Sequence, residues 1–286
     1  MSRSHLLETD GFNQLAEGRG GYYIYNRNDI YVGQAIEKYG EYCALEIQIL
    51  TQLCAPGDFV FEVGANIGAH TVEIARHVGR RGRVLAFEPQ RLAFQTLCAN
   101  AAINSLENVD CHWSALGRTI GAVPVPDLDP HVPNNFCGLS LSDAPYGDPV
   151  QCRMLDEFTS VPRLALIKID VEGMEADVLE GGRQLIAKYK PNLYVENDRV
   201  QKSDGLLRLI FDLGYRMYWD TPALFNPENF YGETENIYPG TMSVNMVCVH
   251  RDAPINVVGL AEITDFSSHP LVRSNVDARG AGDAGP

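Results

Sequence analysis

The chain's 286 residues, 45% of them hydrophobic, suffice for one large α/β domain or for a domain with an elaborated end. A formal net charge of −14 excludes duplex nucleic acid as an expected partner, because phosphate backbones demand clustered Lys and Arg; the short run Arg76, Arg80, Arg81 and Arg83 reads as a solvated helix end and turn. Seven cysteines without C-x-x-C spacing, no apolar run of membrane-spanning length and an opening segment without an apolar signal core exclude a disulfide scaffold, a zinc site and a membrane partner, and set the cytoplasm as the expected location.

Residues 1–55 read as an N-terminal leader, a helical and aromatic cap. Within it GGYYIYNRNDIYVG suggests a small hairpin or extended edge, and Ile36 to Leu53 carries apolar residues at helical spacing, predicting one helix stopped by Pro56 and Gly57. A main domain over 56–265 follows. Its first half alternates strand 59–63, a helix from about 68 to 78, strand 83–87, a helix from about 91 to 104 and strand 109–113. Between 117 and 161 the alternation fails, and PVPDLDPHVPNNFCGLSLSDAPYGDP predicts irregular or short-hairpin structure inserted as an acceptor lid or substrate wall. Strand 164–170, helix 174–188, strand 192–197, helix 204–212 and strand 215–219 come next; a polar, aromatic loop over 220–242 precedes the last strand, 243–249. The tail 266–286, ending DARGAGDAGP, is expected to be disordered.

The segment GDFVFEVGANIGAHTVEIARHVGRRGRVLAFEP, residues 57–89, is the front half of a nucleotide-binding βαβ unit: apolar strand, glycine turn, helix, and a second apolar strand ending on Glu88. Its glycines are Gly64 and Gly68, and Asn66 stands where a dinucleotide fold needs bare backbone against a pyrophosphate. A cofactor with a ribose and no pyrophosphate fits better, and S-adenosylmethionine is the common one. Glu88, twenty residues beyond Gly68, is placed to accept hydrogen bonds from both ribose hydroxyls. Gly64 permits close approach of the methionine portion, Gly68 lets the helix start near the sheet, and the positive helix end at Ala69 to Thr71 favours a carboxylate. Thr71 either adds a hydroxyl contact or is an ordinary first-turn residue. Glu62, inside an apolar strand, bonds the cofactor's ammonium, a turn amide or a buried cation.

Open α/β sheets bind ligands at the carboxyl ends of their strands, and nearly every strand here ends on a polar residue: Glu88, then Trp113 and Ser114, then Asp170, then Glu196 and Asn197. Seven strands, with the last returning through a long loop to insert antiparallel beside the fifth, describe the Rossmann-like doubly wound sheet of class I methyltransferases. Trp113, Ser114 and Ala115 are expected to give adenine a ring contact and an amide hydrogen bond, with His112 flanking that pocket. His131 reads as a loop histidine, His70 and His77 as helix-surface residues. Tyr218, Trp219 and the aromatic residues of 225–231 read as core packing or as a stacking face for the acceptor.

FEVGANIGAHT, AFEP, LIKIDVEGMEADVLEGG and PNLYVEN resemble the FkbM family of S-adenosylmethionine-dependent methyltransferases over roughly residues 57–197. The resemblance implies O-methyl transfer to a hydroxyl of a sugar, polyketide or other secondary metabolite. It places Glu62, Gly64, Asn66, Gly68 and Glu88 on the cofactor positions, with Ala65 and Pro89 beside them, and Asp170 and Glu172 in the acidic block next to the acceptor. Strand alternation puts Lys168, Asp170 and, if the chain stays extended, Glu172 on one side, with Lys168 paired to a carboxylate. Asp170 is the first choice for orienting or deprotonating the acceptor and Glu172 the second. Asp170, Glu196 and Asn197 also sit where catechol O-methyltransferase and its relatives hold magnesium, so Mg2+ on these three is weighed against hydrogen bonding alone; the lysine of that family is absent, since Gly173 stands three beyond Asp170. A nicotinamide-dependent oxidoreductase is disfavoured by Asn66 and by the lack of a Tyr-x-x-x-Lys constellation, and a non-catalytic binding protein by the acids at the strand ends. Apolar and aromatic residues between 12 and 50 serve either a homodimer contact or packing within one chain.

Overall fold

The computed structural model describes residues 10–139 and 146–272. The leader opens with a hairpin, β1 (Asn13–Glu17) antiparallel to β2 (Tyr22–Asn26), followed by α1 (Val32–Tyr39) and α2 (Ala44–Leu50). Two helices therefore replace the single one expected. Gly40 (φ 68°) closes α1 and Cys43 (φ 47°) opens α2, both in the left-handed region, while the apolar rhythm runs on across the break and hides it.

The alternating core begins with β3 (Phe59–Val63), α3 (Ala69–Val78), β4 (Arg83–Phe87), α4 (Arg91–Ile103) and β5 (Val109–His112). The insertion contributes β6 (Ala115–Leu116), β7 (Gly121–Val125) and β8 (Asp148–Arg153), which form a small sheet of their own in the order β6-β8-β7. The core resumes with β9 (Leu164–Ile169), α5 (Glu175–Glu180), α6 (Arg183–Tyr189), β10 (Asn192–Glu196), α7 (Val200–Asp212), β11 (Tyr215–Asp220), β12 (Asn245–His250) and β13 (Ala261–Glu262). The helix expected over 174–188 is broken at Gly181 and Gly182. A Cβ on Gly181 would lie 2.0 Å from the Gly117 carbonyl oxygen, so the insertion's backbone passes where an unbroken helix with side chains would stand. Residues 140–145 of the expected lid and 273–286 of the expected tail lie outside the described residues.

The main sheet runs β13-β11-β12-β10-β9-β3-β4-β5. Strands β5, β4, β3, β9 and β10 are mutually parallel, and β12 lies antiparallel between β10 and β11, which is the class I methyltransferase order. It has one strand more than the seven expected, because the two-residue β13 pairs with the outer edge of β11. Both faces are buried, which explains the near-continuous apolar strands. Phe61, Val63, Phe87, Ile167, Ile169, Leu193 and Val195 face α5, α6 and α7 through Val178, Leu185, Leu206 and Ile210. Val60, Ala86, Leu166, Tyr194 and Val247 face α2, α3 and α4 through Leu50, Ile74 and Leu97. Among the described residues no helix is long and apolar enough to cross a membrane, and all seven cysteines are free thiols.

On the second face the register sets Glu62 beside Lys168 and Lys168 beside Tyr194, a polar row in the middle of an apolar sheet. The Lys168 side chain is 3% exposed and its Nζ donates to Asp170 Oδ2 at 2.8 Å. Lys168→Met keeps the length and apolar stem but leaves Asp170 and Glu62 without their cation. Glu62 is buried but the Asp170 side chain is 38% exposed, so urea unfolding at pH 7 should show a loss of ~2–3 kcal/mol, below the ~3–5 kcal/mol expected for a fully buried pair; a loss under ~1 kcal/mol would mean that the pair does not hold the centre of the sheet.

Candidate active site

The parallel strands deliver their carboxyl ends to a cavity of about 250 Å³ on the α2/α3 face. Its floor is the turn after β3. Gly64 (φ 83°) and Asn66 (φ 50°) are both left-handed there, and Asn is among the few side-chain-bearing residues that adopt this region readily. A Cβ on Gly64 would sit 1.8 Å from the Asp170 carbonyl oxygen, so the turn lies directly on the backbone that leaves β9. The Gly64 and Ala65 amides each donate to the Phe87 carbonyl at 3.0 Å. The Asn66 and Gln90 amides donate to the two oxygens of Glu88, both at 2.8 Å, clamping that carboxyl at the end of β4.

Of the residues singled out in the sequence, Glu62, Gly64, Ala65, Asn66, Glu88, Pro89, Ser114, Ala115, Asp170, Glu172 and Glu196 line the cavity. Gly68, Thr71 and Asn197 do not. Gly68 (φ 83°) starts α3 against Leu97, and the Thr71 hydroxyl donates to Glu62 Oε2 at 2.6 Å, so both act behind the wall. Asn197 corrects the proposed metal set: its amide donates to Ser203 Oγ at 2.9 Å and to Met246 Sδ at 3.4 Å, turned into the core by the alternation that brings Glu196 to the cavity. Glu172, Glu196 and Asp198 have carboxylate oxygens within 4.8 Å of one another instead. Arg199 already reaches this trio, pairing with Glu172 and lying 3.5 Å from Asp198.

His112 and Trp113 are also corrected. His112 stacks on Phe87 (4.7 Å between centroids) on the opposite face, and Trp113 is exposed, with Nε1 donating to the Pro89 carbonyl at 2.9 Å. Phe225 packs on Tyr39 and Trp219 on His269, leaving Tyr31 and Tyr42 as the aromatic residues of the wall. His131 meets Phe12 away from the site. His70, read as a surface residue, is buried and lines the cavity. Glu46, also unforeseen, comes from α2; its place among Cys43, Ile47 and Leu50 on the apolar stripe was the available signal. The insertion supplies Asn135, Cys137 and Leu139, and the 220–242 loop Leu224, Thr241 and Met242.

These carboxyls differ in proton affinity for identifiable reasons. Burial pushes Glu62 up to about 7 against the pull of the Lys168 ammonium, and pushes Glu88 up to about 7 against its two amide bonds. Burial and the neighbouring Asp170 and Asp198 charges raise Glu172 to about 7. Burial and the charges of Asp170 and Glu172 carry Glu196 well above the carboxylate range, and it shares a hydrogen bond with Asp170. Asp170 moves the other way: burial disfavours its charge, but the Lys168 ammonium outweighs burial and holds it ionised.

Fold and site together define a class I methyltransferase domain. The family model "Methyltransferase FkbM domain" matches residues 62–217, more than half of the chain, and the chain belongs to this family. It is 27% identical over 145 residues to Methyltransferase 1 of Beauveria bassiana (strain ARSEF 2860) and 26% identical over 156 residues to Methyltransferase sdnD of Sordaria araneosa. Each match covers 43% of this chain, and the chain spans 57% and 60% of the length of these relatives. The crystal structure of a methyltransferase FkbM from Methylobacillus flagellatus KT is similar at 19% identity and a TM-score of 0.47, over 67% of this chain and 43% of that one.

The Glu88 environment makes a pH prediction. Its folded pKa lies near 7 against an ordinary 4.5, so the folded chain holds a proton that the unfolded chain releases, and the Glu88 contribution to stability falls as pH rises from 4.5 to about 7. Denaturant titrations at pH 5 and pH 8 should show the ligand-free wild type losing ~2–3 kcal/mol relative to Glu88→Gln, at 1.36 kcal/mol per unit. A pH-independent difference would place Glu88 in contact with solvent.

Proposed function

We propose that the chain is an S-adenosylmethionine-dependent O-methyltransferase acting on a neutral or amine-bearing hydroxylated small molecule or glycosyl unit. The observation that carries this reading is the clamped Glu88 carboxyl beside the Gly64–Asn66 turn, opening into a cavity whose opposite wall is acidic. The residues present fit the cofactor. Glu88 is aimed for a ribose diol, the turn accepts no side chain at Gly64, the first amides of α3 are available to a carboxylate, and the buried Ser114 Oγ lacks a partner. Bound S-adenosylmethionine supplies an already electrophilic methyl carbon on a sulfonium.

The remaining work falls to the chain's own residues. Alignment of the acceptor oxygen can lower the barrier by ~7–11 kcal/mol, and removal of its proton contributes typically ~10²–10⁴-fold. Asp170, fixed by Lys168 and ionised, is a weak base and a good anchor for cationic or donor groups. Glu172, with its raised proton affinity, is the better proton acceptor, and Arg199 holds it in place. Arg199 pairs with Glu172 and lies 3.5 Å from Asp198, and Lys168 holds Asp170, so these acids are already engaged by the chain's own cations and the reading needs no metal. Both cations are engaged, so a phosphorylated or carboxylated acceptor finds no free positive charge in the described wall, whereas hydroxyl and ammonium donors meet carboxyl oxygens.

Release of S-adenosylhomocysteine tests this with methyl glucoside, catechol and ethanolamine against glucose 6-phosphate and salicylate. Turnover is expected within the first group and not the second. It should persist in EDTA and fall ~10²–10⁴-fold in Glu172→Gln with cofactor affinity within about twofold. Loss of activity on chelation would restore a metal to the acidic trio, and turnover of the anionic compounds alone would reject the acceptor class.

A further inference from the structure

His70 is the second residue of α3, and Cβ atoms in a helix lean toward its N-terminus, so its ring is carried back over the glycine turn and the strand ends. The residue is 6% exposed and lines the cavity, and its ring stacks on Tyr42 with centroids 5.8 Å apart and planes at 25°. Its backbone hydrogen-bond partner is Tyr42, while Nε2 is buried without a partner. Nδ1 therefore carries the proton toward the Tyr42 carbonyl, and Nε2 presents a lone pair. Burial, reinforced by the Lys168 ammonium against the opposing Asp170 carboxylate, pushes the ring down to about 3, so it stays neutral over the working range of pH.

Three cavity-lining side-chain atoms among the described residues are buried and unpartnered: Ser114 Oγ, Glu196 Oε2 and His70 Nε2. Ser114 follows β5 at the far side of Glu88, where the cofactor reading places adenine. Glu196 belongs to a carboxyl that holds its proton and hydrogen-bonds Asp170. Only His70 offers a neutral ring nitrogen as a pure acceptor. An ammonium on the cofactor is drawn to the ionised Asp170, whereas Nε2 is a neutral lone pair that no cation of the chain contests and that suits a neutral donor of the acceptor.

We infer that His70 Nε2 accepts a hydrogen bond from a donor group of the acceptor next to the hydroxyl that is methylated, and so orients the nucleophilic oxygen while leaving that oxygen's own proton to Glu172. This rests on the methyltransferase reading above. His70→Asn retains an N–H near the Nδ1 position for the Tyr42 carbonyl and removes the Nε2 acceptor, whereas His70→Gln returns an amide oxygen near Nε2. With whichever compound of the panel turns over best, His70→Asn should lower kcat/KM about tenfold, the loss of one neutral hydrogen bond, and His70→Gln should recover part of it. S-adenosylmethionine affinity by calorimetry should stay within about twofold in both. In ¹⁵N spectra of the wild type with S-adenosylhomocysteine, Nε2 should show the unprotonated signal and shift when that same compound is added. Unchanged kcat/KM in His70→Asn, or an unmoved Nε2 signal, overturns the inference alone. Loss of cofactor affinity instead assigns His70 to the cofactor and overturns it as well. No turnover with any compound overturns the proposed function on which it stands.

Discussion

A single ammonium, that of Lys168, sits in the middle of the sheet and organises the site. It lies on the central strand β9, level with Glu62 on β3, and is bonded to Asp170 at the strand's end. A buried lysine with no partner would lose its proton; here Asp170, Glu62 and Glu46 together hold it charged despite burial. The same charge fixes the state of everything around it. Asp170 stays ionised, Glu62 and Glu46 are restrained from rising further, and His70 is kept from protonating. One cation in an acidic cavity thus separates carboxyls that anchor from carboxyls that can take a proton.

The cavity exists because the fold brings four separate segments over the strand ends. The turn after β3 supplies a floor without side chains at its closest approach, α2 brings Glu46, the insertion brings Asn135 to Leu139, and the 220–242 loop leads into Ser243 and Asn245. Glu46 lines the same wall as Ser243 and Asn245, whose polar groups favour its charged form, so the leader and the last strand meet there. The cavity thus has one surface fixed by the turn after β3 and walls assembled from the parts of the chain with the least regular sequence.

The order of strands was legible because buried parallel strands such as RVLAF and LIKI are continuous apolar runs, and because Glu88 and Asp170 end such runs on charge. What escaped depends on contacts between distant segments. The breaks at Gly40 to Cys43 and at Gly181 to Gly182 leave the helical rhythm intact, and the second reflects the passage of Gly117, more than sixty residues upstream. Asn197 continues the polar strand end in sequence, yet strand parity sends it into the core while Glu196 faces the cavity. In sequence His70 reads as a helix-surface residue, and only the leader's Tyr42, folded over it, makes it part of a wall. Strand-end position alone marks Asp170, Glu196 and Asn197 as metal ligands, whereas the carboxyl trio that the fold assembles is Glu172, Glu196 and Asp198, two of them beside Arg199.

The central claim is that this cavity holds S-adenosylmethionine through the Glu88 clamp. Isothermal titration of S-adenosylmethionine into the wild-type chain and into Glu88→Ala measures it most directly, with NAD as the comparison ligand. The account predicts one site per chain for S-adenosylmethionine, none for NAD, and affinity at least tenfold weaker in the variant, ~1.4 kcal/mol for one charged hydrogen bond. Equal affinity in wild type and variant, or heat from NAD and none from S-adenosylmethionine, would contradict it.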